Sequence, residues 1–120
     1  MNSTDNLDKN LTEYLSKLNE AVSCGSKFIL SPEVTNFITT NHEQRLKIAK
    51  TDETDIFINE TKSFCLQNSV WVLIGSLVMR SQSVKKCANS SILIDTKGNI
   101  KCKYDKIHMF DVDLSDKQKF

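Results

Sequence analysis

The sequence contains few of the residues that make a chain flexible, with one proline and three glycines in 120 residues. Linkers between domains are rich in Gly, Ser and Pro, so this scarcity argues against a joint between separate units. The sequence also shows no internal repeat and no low-complexity tract. A chain of this length buries roughly 65% of the surface of its unfolded form. One domain over residues 1–120 is therefore predicted.

An excess of either charge is missing, because 16 Lys and Arg residues stand against 15 Asp and Glu residues. Nucleic-acid-binding domains are strongly basic, so no nucleic-acid partner is predicted. The longest apolar run, Val70 to Gly75, is far shorter than the roughly 20 residues that span a bilayer. The first ten residues lack the basic and apolar regions of an export signal. We expect a soluble cytoplasmic protein with no membrane partner.

Metal-binding and disulfide patterns are missing as well. The four cysteines are Cys24, Cys65, Cys87 and Cys102. None belongs to a CxxC motif or to a Cys/His ligand spacing, so reduced thiols are expected, each serving as a small buried hydrophobe. His42 lies in a polar segment, and no second His or Cys stands at a ligand spacing from His108. The sequence predicts neither a metal site nor a cofactor.

Periodic apolar residues predict two helices. Between Leu7 and Val22 they recur at steps of three and four, which is one face of an amphipathic helix. Thr4 or Asp5 is the expected N-cap and Gly25 the expected end. A second helix is predicted from about Asp55 to Asn68, with one buried face formed by Phe57, Thr61, Phe64 and Cys65.

The segment between these helices begins with the short apolar strand KFIL, which ends before Pro32 because proline cannot donate to a sheet ladder. From Thr35 to Thr54 the residues are polar, which predicts an exposed connection with one short helix near residues 43–49. The strand VWVLIG follows the second helix, completing a strand-helix-strand unit. SSILID and IKCKY flank the turn-forming TKGN and predict an antiparallel hairpin. The pattern indicates an α/β fold with a mixed sheet.

Two charged residues follow predicted strands. Glu33 comes directly after KFIL and Pro32, and open α/β sheets bind ligands beyond the carboxyl ends of their strands. A carboxylate partly removed from water there would serve as a general base. The alternative is an ordinary charge in a surface loop or at a helix N-terminus. Lys106 follows the IKCKY strand, and taken alone a lysine in a loop is usually solvated.

Three segments resemble, in their order and separations, the nitrilase superfamily of carbon-nitrogen hydrolases, most closely its omega-amidase and nitrilase-like branch. These segments are ILSPEVTNF, WVLIGSL and NSSILIDTKGNIKCKYDKIHMFDVD. The resemblance runs from about Ser3 to Asp113. It implies part of a nitrilase-type α-β-β-α sandwich and a Glu-Lys-Cys triad. In such a triad a Cys thiolate attacks the amide or nitrile carbon, the Glu is the base, and the Lys stabilises the tetrahedral intermediate. By position, Glu33 matches the base and Lys106 the lysine.

The resemblance also implies missing parts. The family's nucleophile follows the Lys segment in an elbow of the CYDLRFP type, whereas all four cysteines here precede Lys106. A first central strand, ending in a QM-type segment, would finish where Met1 stands. We therefore expect a fragment incomplete at both ends, with no useful activity alone, because losing the nucleophile of such a triad costs roughly 10^6 in turnover. Smaller departures are Ser31 in place of a Leu and Ala88 in place of an aromatic residue.

Three functional hypotheses remain open. The first is a truncated or split amidase that retains Glu33 and Lys106 and hydrolyses a small amide only when a second chain completes it. The second is a non-enzymatic protein that binds a complementary or full-length relative through an exposed sheet edge or helices. The third is a shortened enzyme with a resident thiol, for which Cys102 stands nearest to Lys106, and alternation along the strand would place both on one face with Tyr104.

Overall fold

The computed structural model describes residues 3–39, 41–51, 53–80 and 87–106. The elements are α1 (Leu7–Ser23), β1 (Phe28–Leu30), α2 (His42–Ile48), α3 (Ile56–Asn68), β2 (Trp71–Arg80), β3 (Cys87–Ile94) and β4 (Ile100–Lys106). These strands form a mixed sheet in the order β1-β2-β3-β4. β1 and β2 are parallel, whereas β3 is antiparallel to both β2 and β4. The predicted α/β class, strand-helix-strand unit and hairpin are confirmed.

One face of the sheet, which we call the helix-covered face, packs against α1 and α3. The sheet contributes Ile29, Val72, Ile74, Leu77, Met79, Ile92 and Ile94, and the helices contribute Tyr14, Leu18, Phe57, Ile58, Phe64 and Cys65. The predicted face of α3 is therefore buried, and its Thr61 Oγ1 lies 2.6 Å from the Tyr14 hydroxyl. Burial raises the pKa of Tyr14 well above its usual value. This layer is the hydrophobic core of the described residues.

The opposite side of the sheet, which we call the open face, follows from the strand register, since residues directly opposite in neighbouring strands share a face. Its members include Phe28, Leu30, Trp71, Leu73, Ser91, Leu93, Cys102 and Tyr104. Phe28, Leu30 and Tyr104 are 53%, 65% and 68% exposed. The described part of the chain therefore leaves a row of large apolar and aromatic side chains in contact with solvent.

The start of α1 differs from the prediction. Asn6 is the N-cap, because its Oδ1 accepts a hydrogen bond from Lys9 N–H at 3.0 Å, so the prediction of Thr4 or Asp5 is wrong. The Thr4 N–H donates instead to Asn10 Oδ1 at 3.0 Å, which fixes the chain before the cap. Gly25 has φ 90° just after the helix, as the predicted end requires.

The expectation of an exposed connection from Thr35 to Thr54 is wrong at several positions. Helix α2 forms close to the predicted place, but Phe37 and Ala49 are buried in a second small core with Val78. Asn36 Nδ2 donates to Val78 O, and Val78 N–H donates to Asn36 Oδ1, each at 2.9 Å. A buried polar side chain is tolerated when it is hydrogen-bonded in this way, so a polar sequence here does not mean exposure.

The prediction that every cysteine is a small buried hydrophobe holds for Cys65 and is wrong for Cys24 and Cys102, which are exposed, while Cys87 is half-buried. Cys24 caps the solvent-facing end of α1, and Cys102 lies on the open face. All four thiols are free. Burial raises the pKa of Cys65 to about 11. It also raises the pKa of Cys87, against the opposing charges of Arg45 and Arg80.

Candidate active site

The fold brings together the two residues that the sequence singled out. Lys106 Nζ lies 3.4 Å from Glu33 Oε1, although 73 residues separate them along the chain. Glu33 belongs to the loop that follows β1, and Lys106 ends β4. The carboxylate of Glu33, from the loop after β1, therefore lies next to the side-chain amine of Lys106, the last residue of β4.

The environment of this pair differs from the expectation in one respect. The Glu33 side chain is 73% exposed and that of Lys106 is 47% exposed. Partial removal from water, the condition under which a carboxylate at this position would serve as a base, is therefore not met among the described residues. A carboxylate that is to act as a base needs walls that exclude water, and these residues do not supply them.

Lys106 lies on the open face. It stands opposite Asn89 in β3, while Tyr104 stands opposite Ser91 and Cys102 opposite Leu93. The predicted alternation that places Cys102, Tyr104 and Lys106 on one face is therefore confirmed. Four residues of a strand span about 13 Å, which places the Cα of Cys102 too far from that of Lys106 for its thiol to serve the same reacting carbon.

Gly75 is a site residue that sequence reasoning missed. In β2 it lies directly against the loop that carries Glu33, and a Cβ at this position would stand 2.2 Å from Ser31 O and 2.6 Å from Pro32 O. Only glycine allows so close an approach of two backbones. The available signal was a glycine inside a strand pattern, which marks a bulge or a close backbone contact.

Ser31, the departure from the family's usual Leu, has a structural role in the same loop. Its Oγ accepts a hydrogen bond from Gly75 N–H at 3.0 Å and lies 2.9 Å from Thr35 Oγ1. Its own N–H donates to Leu73 O at 3.0 Å. The hydroxyl thus satisfies a strand N–H and joins the beginning of the Glu33 loop to its end.

Grooves in the described surface lie beside this pair but not around it. One of about 230 Å³ is lined by Val34, Phe37, Ile38, Thr39, Arg45 and Val78. Another of about 260 Å³, between α1 and β1, includes Ser31 and Pro32. Neither Glu33 nor Lys106 lines either groove. The pair therefore lies outside both of these grooves.

His108 and the rest of its motif after Lys106 lie outside the described residues. Among residues 3–39, 41–51, 53–80 and 87–106, no group of three or more His, Cys, Asp or Glu side chains is arranged to hold a metal ion. Within the same ranges, every helix is too short or too polar to cross a membrane.

Comparisons with known proteins identify the family of this chain. The sequence profile named carbon-nitrogen hydrolase matches residues 1–120. The deaminated glutathione amidase of Yersinia enterocolitica is 31% identical over 116 residues, covering 96% of this chain and 38% of that protein. The probable hydrolase nit2 of Schizosaccharomyces pombe is 30% identical over 116 residues, covering 95% and 41%. The chain therefore spans about two-fifths of the length of these relatives.

Solved structures share the fold at lower identity. The Caenorhabditis elegans NitFhit protein has a TM-score of 0.82 at 23% identity, covering 96% of this chain and 28% of that one. A double mutant of the amidase from Nesterenkonia sp. AN1, solved with acrylamide, has a TM-score of 0.70 at 15% identity, covering 90% and 40%. The mixed sheet and its helices are thus part of a nitrilase-type fold. With the profile matching its whole length, the chain belongs to the carbon-nitrogen hydrolase family.

Proposed function

We propose that this chain supplies the base and the lysine of a hydrolase that cleaves a small amide through a Cys thioester. The observation that carries the proposal is the 3.4 Å contact between Glu33 Oε1 and Lys106 Nζ. In the proposed reaction Glu33 takes the proton from the attacking thiol and gives it to the leaving ammonia as the C–N bond breaks. It then takes a proton from the water that attacks the thioester and returns it to the released thiol. The ammonium of Lys106 stabilises the negative oxygen of the tetrahedral intermediate.

The nucleophile and the pocket walls come from another segment in this proposal. Two features support it: the chain spans about two-fifths of its relatives, and Phe28, Leu30 and Tyr104 are exposed on the open face, to which Lys106 also belongs. Cys65 is buried in the core and Cys102 lies further along β4, so neither thiol is placed as a nucleophile next to the pair. Cys87 is half-buried against the small core of Phe37, Ala49 and Val78, and burial raises the pKa of its thiol. Losing the nucleophile of a hydrolase triad costs roughly 10^6 in turnover, so the chain alone is inactive.

The proposed substrate is a short amide that also carries a carboxylate. This choice is supported by the name of the relative from Yersinia enterocolitica, deaminated glutathione amidase. The proposed location is the cytoplasm, where thiols stay reduced, in keeping with four free cysteines.

The test is ammonia release from a short omega-amide by the purified chain alone and after mixing with the product of the adjoining reading frame. We expect activity only in the mixture, and we expect Lys106→Met to abolish it. Lys101→Met, on the same strand, is the matched control and should retain activity. Hydrolysis by the chain alone, or equal activity with Met at position 106, would contradict the proposal.

A second candidate function is binding without catalysis, and the exposed Phe28, Leu30 and Tyr104 of the open face favour it. In this case the chain associates with a complementary or full-length relative. Glu33→Gln combined with Lys106→Met would then leave the association intact, while Leu30→Lys would weaken it. Soluble, folded protein with no ammonia release in the mixture, together with this binding pattern, would favour the second candidate over the first.

A further inference from the structure

Strand β2 contains a bulge beside the loop that carries Glu33. Its pairing with β3 passes directly from Ile74 to Leu77, so the two residues between them leave the regular ladder. Bulges free backbone groups for other contacts and recur next to active sites. Gly75 permits the close approach of the loop, and Ser76, which is 4% exposed, is the other residue of the bulge.

Every hydrogen-bonding group of Ser76 contacts the Glu33 loop. Its Oγ accepts from Val34 N–H at 2.7 Å, and its carbonyl accepts from Thr35 N–H at 2.9 Å. Its own N–H donates to Pro32 O at 3.4 Å. These contacts hold the residue before Glu33 and the two residues after it, so one serine fixes the loop on both sides of the carboxylate.

Val34 shows why such a clamp is needed. It has φ 45°, the left-handed region that a β-branched residue rarely adopts. Strained conformations persist only where the surrounding contacts determine them, and they cluster at functional sites. The hydroxyl of Ser76 holds the N–H of this same residue. Glu33 directly precedes Val34, and the two residues form the same turn.

We infer that Ser76 is a positioning residue, whose hydroxyl keeps Val34 in the left-handed conformation and thereby keeps Glu33 in contact with Lys106. The catalytic consequence rests on the proposed function, in which Glu33 is the base. The geometry itself is measurable without any hydrolysis. Failure of the proposed function and failure of this inference are therefore distinguishable.

The experiment is zero-length coupling of the purified 120-residue chain with a water-soluble carbodiimide, which joins a contacting carboxylate and amine as an amide. Mass spectrometry of the digested chain gives the yield of the Glu33–Lys106 link. The Lys17–Glu20 pair on α1, at 3.5 Å, is the internal reference. We expect Ser76→Ala to lower the yield relative to that reference by about fivefold, the population change that one hydrogen bond typically supports. Ser76→Thr, which keeps the hydroxyl, should restore it.

Two further variants separate positioning from general damage to the fold. Ser91→Ala removes a hydroxyl that donates to Gly75 O at 2.6 Å, in the same bulge but away from the loop, and should leave the yield unchanged. In a Val34→Gly background Ser76→Ala should lose most of its effect, because glycine adopts the left-handed conformation without strain. An unchanged yield in Ser76→Ala, or an equal loss in Ser91→Ala, would overturn the inference. If the cross-linking yields follow the expected pattern but the mixture releases no ammonia, only the proposed function would be overturned.

Discussion

The two faces of the same sheet have different surroundings. On the helix-covered face Ile74 and Ile92 are fully buried against α1 and α3, whereas on the open face Leu30 is 65% and Tyr104 is 68% exposed. Lys106 belongs to the open face. The large core that stabilises this chain and the proposed catalytic Lys106 therefore lie on opposite sides of the sheet, whereas the small core around Val78 shares the side of Lys106. A folded core is thus compatible with a candidate site that is exposed to solvent.

The largest expected difference between the faces is in stability. We expect Ile74→Ala to lower the free energy of unfolding by about 2–5 kcal/mol, because it leaves a cavity in the core. Leu30→Ala on the open face should change it by less than about 0.5 kcal/mol, because the side chain is already largely solvated. Urea unfolding of both variants gives the comparison. Equal losses would mean that the open face is covered in solution.

The next effect is at the contact between the bulge and the Glu33 loop. Gly75→Ala should cost about 1–3 kcal/mol and displace the loop, because the new methyl group would overlap Ser31 O and Pro32 O. Gly25→Ala is the matched control, since no atom lies within 4 Å of its Cβ position and only its φ of 90° is unfavourable. Amide chemical shifts across residues 31–35 should move only in the first variant. Similar shifts in both would contradict the proposed contact.

A smaller and pH-dependent effect is expected at the turn of the hairpin. The backbone N–H of Asn99 and then that of Lys97 hold the pKa of Asp95 below its usual value, helped by the Lys101 and Lys97 charges and opposed by partial burial. A lowered pKa in the folded state stabilises the protein above the unfolded-state value of about 3.9. This contribution is lost as the pH falls through the folded value.

We therefore expect urea midpoints of the wild type to fall on acidification more than those of Asp95→Asn, whose side chain does not titrate. The difference between the urea midpoints of the two proteins should therefore be smaller in acid than at neutral pH. Parallel curves over the whole range would show that the turn does not hold the carboxylate as described.

The smallest expected effect concerns the resident thiols. Cys102→Ser should leave the activity of a completed hydrolase unchanged, because the strand places this thiol about 13 Å along β4 from Lys106. Alkylation at neutral pH should label Cys24 and Cys102 readily and Cys65 slowly, because Cys65 is buried and its pKa is raised to about 11. Loss of turnover in Cys102→Ser would revive the hypothesis of a shortened enzyme.

Much of the fold could be predicted because local patterns determine it. The stripe of α1, the buried face of α3 and the TKGN hairpin follow from periodicity and turn residues. The burial around Asn36 could not be predicted, because its partner, Val78, is 42 residues away. Nothing local reveals that Ser76 holds the Glu33 loop either. The sequence pattern therefore did not reveal hydrogen bonds between polar groups that are far apart along the chain.

The sequence named the two residues of the candidate site but did not reveal the environment of their side chains. Glu33 and Lys106 were chosen by resemblance, since a Glu after a strand and a Lys in a loop are individually common. Strand register then explains why Lys106 lies on the open face. The exposure of Glu33 was not foreseen, because it depends on which segments cover the loop rather than on residues next to it.

The most direct test of the central claim is the turnover of Glu33→Gln in the completed hydrolase, with Glu60→Gln on α3 as the matched exposed control. The account predicts a fall in kcat of about 10^2–10^4-fold for Glu33→Gln, the usual contribution of a positioned base. It also predicts an unfolding free energy within about 0.5 kcal/mol of wild type, since the side chain is exposed. Wild-type turnover with glutamine at position 33 would contradict the account.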